Sequence, residues 1–209
     1  MKKLALFPLN IVTFPGEDLN LHVFEPRYKE LVKDCLEEKA SFGIPSYIQN
    51  KIELGTEVEI VEVAKEYQDG RMDIRTKATR VFRVVDYWNP WDKKLYAGGA
   101  IEYLHQIKKK GDISKLYKMK ELVAQLFAWL QEVNAPDITK VQSVFDLGHK
   151  IGFKLEEEYQ LIEMSSEDER LDFTINHLEN LLPALERAQS AQERIKQNGH
   201  FKHLDPLKF

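Results

Sequence analysis

The period of the apolar residues changes once along the chain, close to Lys108-Lys109-Lys110-Gly111. Before that point the repeat is two. Leu19, Leu21 and Val23 alternate with Asn20 and His22, and Met72, Ile74 and Thr76 alternate with Asp73, Arg75 and Lys77. After it the repeat is that of a helix, with Leu116, Met119, Val123, Leu126 and Leu130 on one stripe. A period of two demands a half-buried strand and a period near 3.6 an amphipathic helix. Strands followed by helices predict an α+β fold, with a β subdomain over residues 1–108 and a helical subdomain over 109–209.

The strand region contains at least five candidate strands: Leu19–Val23, Thr56–Ala64, Met72–Lys77, Val81–Val85 and Leu95–Leu104. Gln68-Asp69-Gly70-Arg71 carries the Asp-Gly pair of a tight hairpin. Short strands at this spacing predict a curled sheet or small barrel. One helix interrupts them. Pro26 suits a first helical position, and Tyr28, Leu31, Val32 and Cys35 then fall on one face, which makes Cys35 a core thiol. Gly98-Gly99 reads as a bulge inside a strand.

In the helical region Asp137 caps a second helix that runs inward through Val141, Val144, Phe145 and Gly148 and closes at Gly152. A short helix spans about Leu155 to Met164, with Glu156-Glu157-Glu158 as its solvated face. Ser166-Glu167-Asp168-Glu169 is a capping box opening a long helix, which Pro183 must kink or interrupt. Ala184 to Gln197 carries fewer apolar residues and projects or packs on a partner. Phe201, Leu204, Leu207 and Phe209 make an apolar tail.

Composition narrows the function. The net charge of −4 divides into +1 up to Lys110 and −5 beyond it, so neither part has the basic excess of a nucleic-acid binder. Arg71, Arg75 and Lys77 with Arg80 and Arg83 read as a soluble strand face paired with nearby acids rather than a phosphate groove. No apolar run approaches the ~20 residues of a membrane span, and the single cysteine excludes an internal disulfide framework, which suits the cytoplasm. The sequence has no P-loop pattern, no dinucleotide fingerprint and no nucleophile elbow. The histidines, His200 and His203 included, have no zinc spacing. These features predict no catalysis, no cofactor and no metal. Tyr87-Trp88-Asn89-Pro90-Trp91 stands out, since aromatic residues clustered between two strands either plug a barrel end or form a recognition surface.

Residues 6–36, LFPLNIVTFPGEDLNLHVFEPRYKELVKDCL, carry a specific string: Phe7-Pro8-Leu9, Phe14-Pro15-Gly16, and Phe24-Glu25-Pro26-Arg27-Tyr28 leading into a helix. Phe42-Gly43-Ile44, Gly55-Thr56, Asp69-Gly70-Arg71 and Arg80-Val81-Phe82-Arg83-Val84 follow in order. The chain thereby resembles the amino-terminal, substrate-binding domain of the ATP-dependent Lon proteases, in a stand-alone form without their motor and Ser-Lys peptidase. Ala78 departs from the glycine common in the family before the Arg-x-Phe-Arg segment. The resemblance implies a PUA-like pseudo-barrel followed by helices and a role in engaging protein substrates. It casts Phe14, Pro15, Gly16, Glu25, Pro26, Arg27 and Tyr28 as scaffold. The expected ligands are unfolded or apolar polypeptide segments, met by Trp88, Trp91, Tyr87 and Tyr47 in the loops. A separate ATP-dependent protease and a second copy of the chain are the expected partners. The alternative is an assembly or regulatory protein acting through its last helix, and RNA binding by a PUA-like fold is the weaker one.

Overall fold

The computed structural model describes residues 1–48, 51–107, 111–131 and 135–199. Among them are six strands: β1 (Lys2–Leu6), β2 (Asp18–Val23), β3 (Phe42–Ile48), β4 (Lys51–Glu66), β5 (Met72–Trp88) and β6 (Ala97–Tyr103). There are four α-helices: α1 (Pro26–Glu38), α2 (Ile113–Leu130), α3 (Leu155–Glu163) and α4 (Glu167–Gly199). The fold is α+β, as the change of period predicts. The division at residue 108 lies outside the described residues.

The sheet order is β2-β5-β4-β3-β1-β6, and β6 also pairs with β5. That extra pairing closes β5, β4, β3, β1 and β6 into a ring and leaves β2 against the first half of β5. Closure is possible because β5 is long and bulged. Thr79 is the extra residue between the Glu57–Arg80 and Val58–Ala78 pairs, and Val85 is the extra one between the pairs Val84–Ile101 and Asp86–Ala100. Bulges bend a strand and increase its twist. The bulge expected at Gly98-Gly99 is therefore on the partner strand. The two glycines instead admit neighbours, since a Cβ on Gly99 would lie 2.6 Å from the Asp86 carbonyl oxygen and one on Gly98 would meet the Trp91 ring.

Two strands escape the alternation test. β1 and β3 are buried over consecutive residues, Leu4 to Leu6 and Phe42 to Ser46, so no polar face marks them. The runs 72–77 and 81–85 are parts of the one strand β5. Inside the ring lie Leu4, Leu6, Phe82 and Ile101. Phe82 fits because Gly43 has no side chain; a Cβ there would be 2.6 Å from the ring. Ala5 on the opposite face of β1, Phe7 just after it, and Phe42 and Ile44 on the opposite face of β3 bury Tyr28, Leu31, Val32 and Cys35 of α1. Tyr28 stacks on Phe7 with ring centroids 3.6 Å apart.

The helical part is built on a second core joining Met119, Val123 and Leu126 of α2 to Leu171, Ile175 and Leu178 of α4. Val12, Phe14, Leu54 and Val81 reach into it from the strand region. α2 and α4 set out side by side. The Asp112 N–H donates to Asp168 at 2.6 Å, Lys115 pairs with Asp172 at 2.7 Å and Lys118 with Glu179 at 2.5 Å.

The helix expected over 137–152 is replaced by three single 3-10 turns, Ile138–Lys140, Val144–Asp146 and Gly148–Lys150. Local hydrogen bonds interrupt it. Asp137 accepts from Thr139 N–H, Ser143 and Asp146 cap each other's turn, and Val144 N–H is drawn away to Glu167 at 2.7 Å. The Ser166–Glu169 capping box forms, with bonds of 3.0 and 3.2 Å. α4 continues through Pro183 without interruption. Arg187 Nε donates to the Pro183 carbonyl there, at 3.1 Å. Glu156–Glu158 is not simply a solvated face: Glu158 accepts from His149 at 2.8 Å and Glu157 caps Lys154 N–H at 2.7 Å.

Candidate functional site at the barrel mouth

The two ends of the ring are chemically different. One end is closed by Glu57 of β4, whose side chain is 2% exposed. It accepts from Lys2 Nζ at 2.7 Å, Ser41 Oγ at 2.5 Å, Tyr103 Oη at 3.0 Å, and Arg80 Nε and Nη2 at 3.1 and 2.9 Å. Burial acts to raise the Glu57 pKa, but these donors together outweigh it and hold the carboxyl at about 2. The charge is thus permanent near neutral pH, and the cluster ties β1, β4, β5 and β6 together. No pattern in the sequence singles out Glu57.

The other end opens as a cleft of about 600 Å³, lined by Pro8, Arg27, Tyr28, Tyr47, Ile52, Tyr87, Asn89 and Ala97. Such a volume falls within the range of ordinary ligand pockets. The chain folds this way locally for identifiable reasons. After β1, Phe7 and Leu9 N–H groups donate to the Gly43 and Pro45 carbonyls at 2.8 and 3.1 Å, and Tyr47 N–H to the Leu9 carbonyl at 2.7 Å. That ladder sets Pro8 beside Tyr47. Tyr87 enters from the end of β5, opposite Gly99. Arg27 and Tyr28 enter from the first turn of α1, where Pro26 occupies a position that needs no N–H partner.

The sequence-predicted residues divide here. Tyr47 and Tyr87 line the cleft, 42% and 38% exposed, and both belong to strands rather than loops. Trp88 and Trp91 do not line it. Successive strand residues face opposite ways, so Trp88 points outside the ring, where Lys3 Nζ lies 5.6 Å from its ring centroid. Trp91 follows the cis Asn89-Pro90 bond and folds back on Gly98 and Tyr96, 6.3 Å from Trp88 between centroids. Both indoles are half-buried. Ile52 and Ala97 complete the cleft with no local signal in the sequence.

Of the scaffold residues, Arg27 and Tyr28 also line the cleft. Glu25 occupies the N-cap position with an extended backbone but makes no side-chain cap. Instead its Oε2 accepts from Arg27 Nε at 3.0 Å and lies 2.8 Å from Nη2. The guanidinium also covers the Tyr28 ring, 4.5 Å from its centroid. Arg27 is therefore held on one edge and one face. Burial raises the pKa of Tyr28 and of Tyr87, which keeps both phenols protonated.

Phe14-Pro15-Gly16 acts elsewhere. Gly16 has φ +89°, its N–H donates to the Ala78 carbonyl at 2.9 Å, and Ala78 N–H returns to the Glu17 carbonyl at 2.9 Å. Ala78 lies in β5 and is 2% exposed. Glu17 accepts from Phe14 N–H at 2.9 Å and from His149 Nε2 at 3.2 Å. The motif fastens the barrel to the helical core.

The basic strand is largely neutralised. Arg71 pairs with Asp69, Arg75 with Glu62, Lys77 with Asp18 and Arg80 with Glu57. Among the described residues no group of three or more His, Cys, Asp or Glu side chains could hold a metal ion, and no helix is long and apolar enough to cross a membrane.

No curated protein sequence matches this chain. A Lon N-terminal domain protein from Xanthomonas campestris is similar in structure, with a TM-score of 0.64 and 25% identity over 82% of this chain and 96% of that one. The N-terminal domain of Lon protease from the Mycobacterium avium complex shares the fold, with a TM-score of 0.65 at 13% identity over 87% of this chain and all of that one. The family model for the substrate-binding domain of ATP-dependent protease La (LON) matches residues 3–180. With nearly the whole described fold inside that match, the chain belongs to the LON substrate-binding domain family.

Proposed function

We propose that this protein is a non-catalytic module that binds unfolded or apolar polypeptide segments at the barrel mouth, in the service of an ATP-dependent protease on a separate chain, in the cytoplasm. The observation that carries this reading is the tyrosine-walled cleft, which stands open while the other end of the barrel is sealed. Tyrosines offer broad apolar contact with a polar tip and little side-chain entropy to lose, so they suit partners of varied sequence. Trp88 and Trp91, half-buried on the outer wall beside Tyr87, extend the apolar contact.

The test is fluorescence anisotropy with labelled casein, a permanently unfolded polypeptide, and the full chain. Saturable binding is expected, weakened roughly tenfold by Tyr87→Ala or Tyr47→Ala. Absence of binding, or binding indifferent to both substitutions, overturns the reading.

A second reading has its own observation. From Glu186 to Gln192 every residue of α4 is exposed, a helical surface of seven residues open to a partner. Assembly through this segment, with another copy or a regulatory partner, predicts that deleting residues 184–209 lowers the sedimentation coefficient beyond the lost mass while peptide binding persists. The ion pairing of the basic strand argues against RNA as ligand.

A further inference from the structure

The cleft is a blind mouth. Leu4, Leu6, Phe82 and Ile101 fill the barrel behind it, and the Glu57 cluster seals the far end. A polypeptide cannot thread through it. Its lining has one charged group, Arg27, and no carboxylate. Apart from Glu25, which pairs with that cation, the other polar side chains of the lining are phenols and the Asn89 amide, all of which can donate a hydrogen bond.

Arg27 is also pre-set. Glu25 takes Nε and Nη2 through a single oxygen, Oε2, and Tyr28 covers one face of the guanidinium. Among the described residues Nη1 makes no hydrogen bond. A planar guanidinium restrained on one edge presents its other N–H groups in a defined direction, the arrangement that suits a carboxylate.

We propose that the mouth recognises the carboxy terminus of a polypeptide, with Arg27 receiving the α-carboxylate and the tyrosines holding an apolar or aromatic last side chain. This deepens the polypeptide-binding reading and rests on it. The partner is a chain end and not an internal acidic residue, because a chain end offers a carboxylate and an apolar side chain on the same Cα, matching a cation beside a tyrosine wall, whereas an internal Asp or Glu offers the carboxylate alone. A terminal carboxylate entering the cleft meets the guanidinium on the edge that Glu25 leaves open, together with phenol and amide donors.

The experiment uses the full chain and three labelled decapeptides of one unfolded sequence. The first ends in Leu-Phe with a free carboxylate, the second is its C-terminal amide, and the third is amidated with an Asp placed next to an internal Phe. The free acid is expected to bind about tenfold more tightly than the amide, the usual worth of one charge-assisted contact. Arg27→Gln is expected to bind acid and amide equally, at the amide's level, whereas Arg27→Lys keeps part of the difference. Circular dichroism of both variants checks that they fold; should Arg27→Gln fail to, Tyr87→Phe supplies the second reading and is expected to weaken the acid more than the amide. Equal binding of acid and amide by the unaltered protein overturns the inference, as does equally tight binding of the internal-Asp peptide. In either case casein binding that depends on Tyr47 and Tyr87 leaves the broader function standing. If neither the peptides nor casein bind, both fall.

Discussion

The Phe14 ring occupies the space that a side chain on Gly148 would need: a Cβ there would overlap its Cε2, Cζ and Cδ2 atoms. Phe14 is fully buried, its ring lies 4.6 Å from His149 and 5.3 Å from Phe145 between centroids, and it joins the barrel to the helical core. Gly148→Ala is therefore expected to destabilise the protein by about 1–3 kcal/mol through overpacking. Urea denaturation monitored by circular dichroism checks this; a variant as stable as the parent shows that the two parts do not depend on that contact.

Acid should weaken the sealed end of the barrel. The Glu57 pKa falls from its ordinary value of 4.5 to about 2 on folding. A depressed folded pKa contributes stability that is complete above the unfolded value and is lost as pH falls toward the folded one. The window is thus about pH 4.5 to 2, and the contribution is of order 3 kcal/mol. Glu57→Gln should be less stable at pH 7 and show a flatter decline over that window. Thermal melts from pH 7 down to pH 2 measure both.

At alkaline pH a different contact weakens. Hydrogen bonds to Glu158 and then Glu17 raise the His149 pKa from 6.5 to about 9, against the effect of burial. A raised folded pKa contributes stability that is present below about pH 6.5 and is lost as pH rises through 9. His149 is 39% exposed, so solvent screening limits the effect to below about 1 kcal/mol. His149→Gln should remove the decline in melting temperature between pH 7 and 9. A decline that persists unchanged assigns it to other groups.

Cys35 should be inert in the folded protein. It is buried against the barrel, and burial, with Asp34 and Glu38 adding to it, pushes its thiol up to about 12. Little thiolate exists near neutral pH, and thiolate is the reactive form. A disulfide reagent is expected to leave native protein unmodified at pH 8 and to titrate one thiol per chain in guanidinium chloride. Rapid modification of native protein contradicts the burial.

What the sequence determined by itself is what neighbours in the chain decide between them. The period change, the Asp69-Gly70 hairpin, the Pro26 start and apolar stripe of α1, and the Ser166–Glu169 cap are all legible because each rests on residues within a turn or two of one another. The motif from Phe7 to Tyr28 marks the family for the same reason: it is a contiguous string. β1 and β3 escaped because burial on both faces erases alternation, and the helix expected after Asp137 failed because Glu167, far along the chain, takes the Val144 N–H. The candidate site was half visible. Tyr87 and Trp88 are adjacent in sequence, yet the strand sends one into the mouth and the other outside. Tertiary structure alone joined β6 to β5, brought Tyr47, Tyr87 and Arg27 to one open end, and collected Lys2, Arg80 and Tyr103 around Glu57 at the other. Ring closure and register depend on pairings between distant segments, and no local spacing encodes which strand will lie beside which.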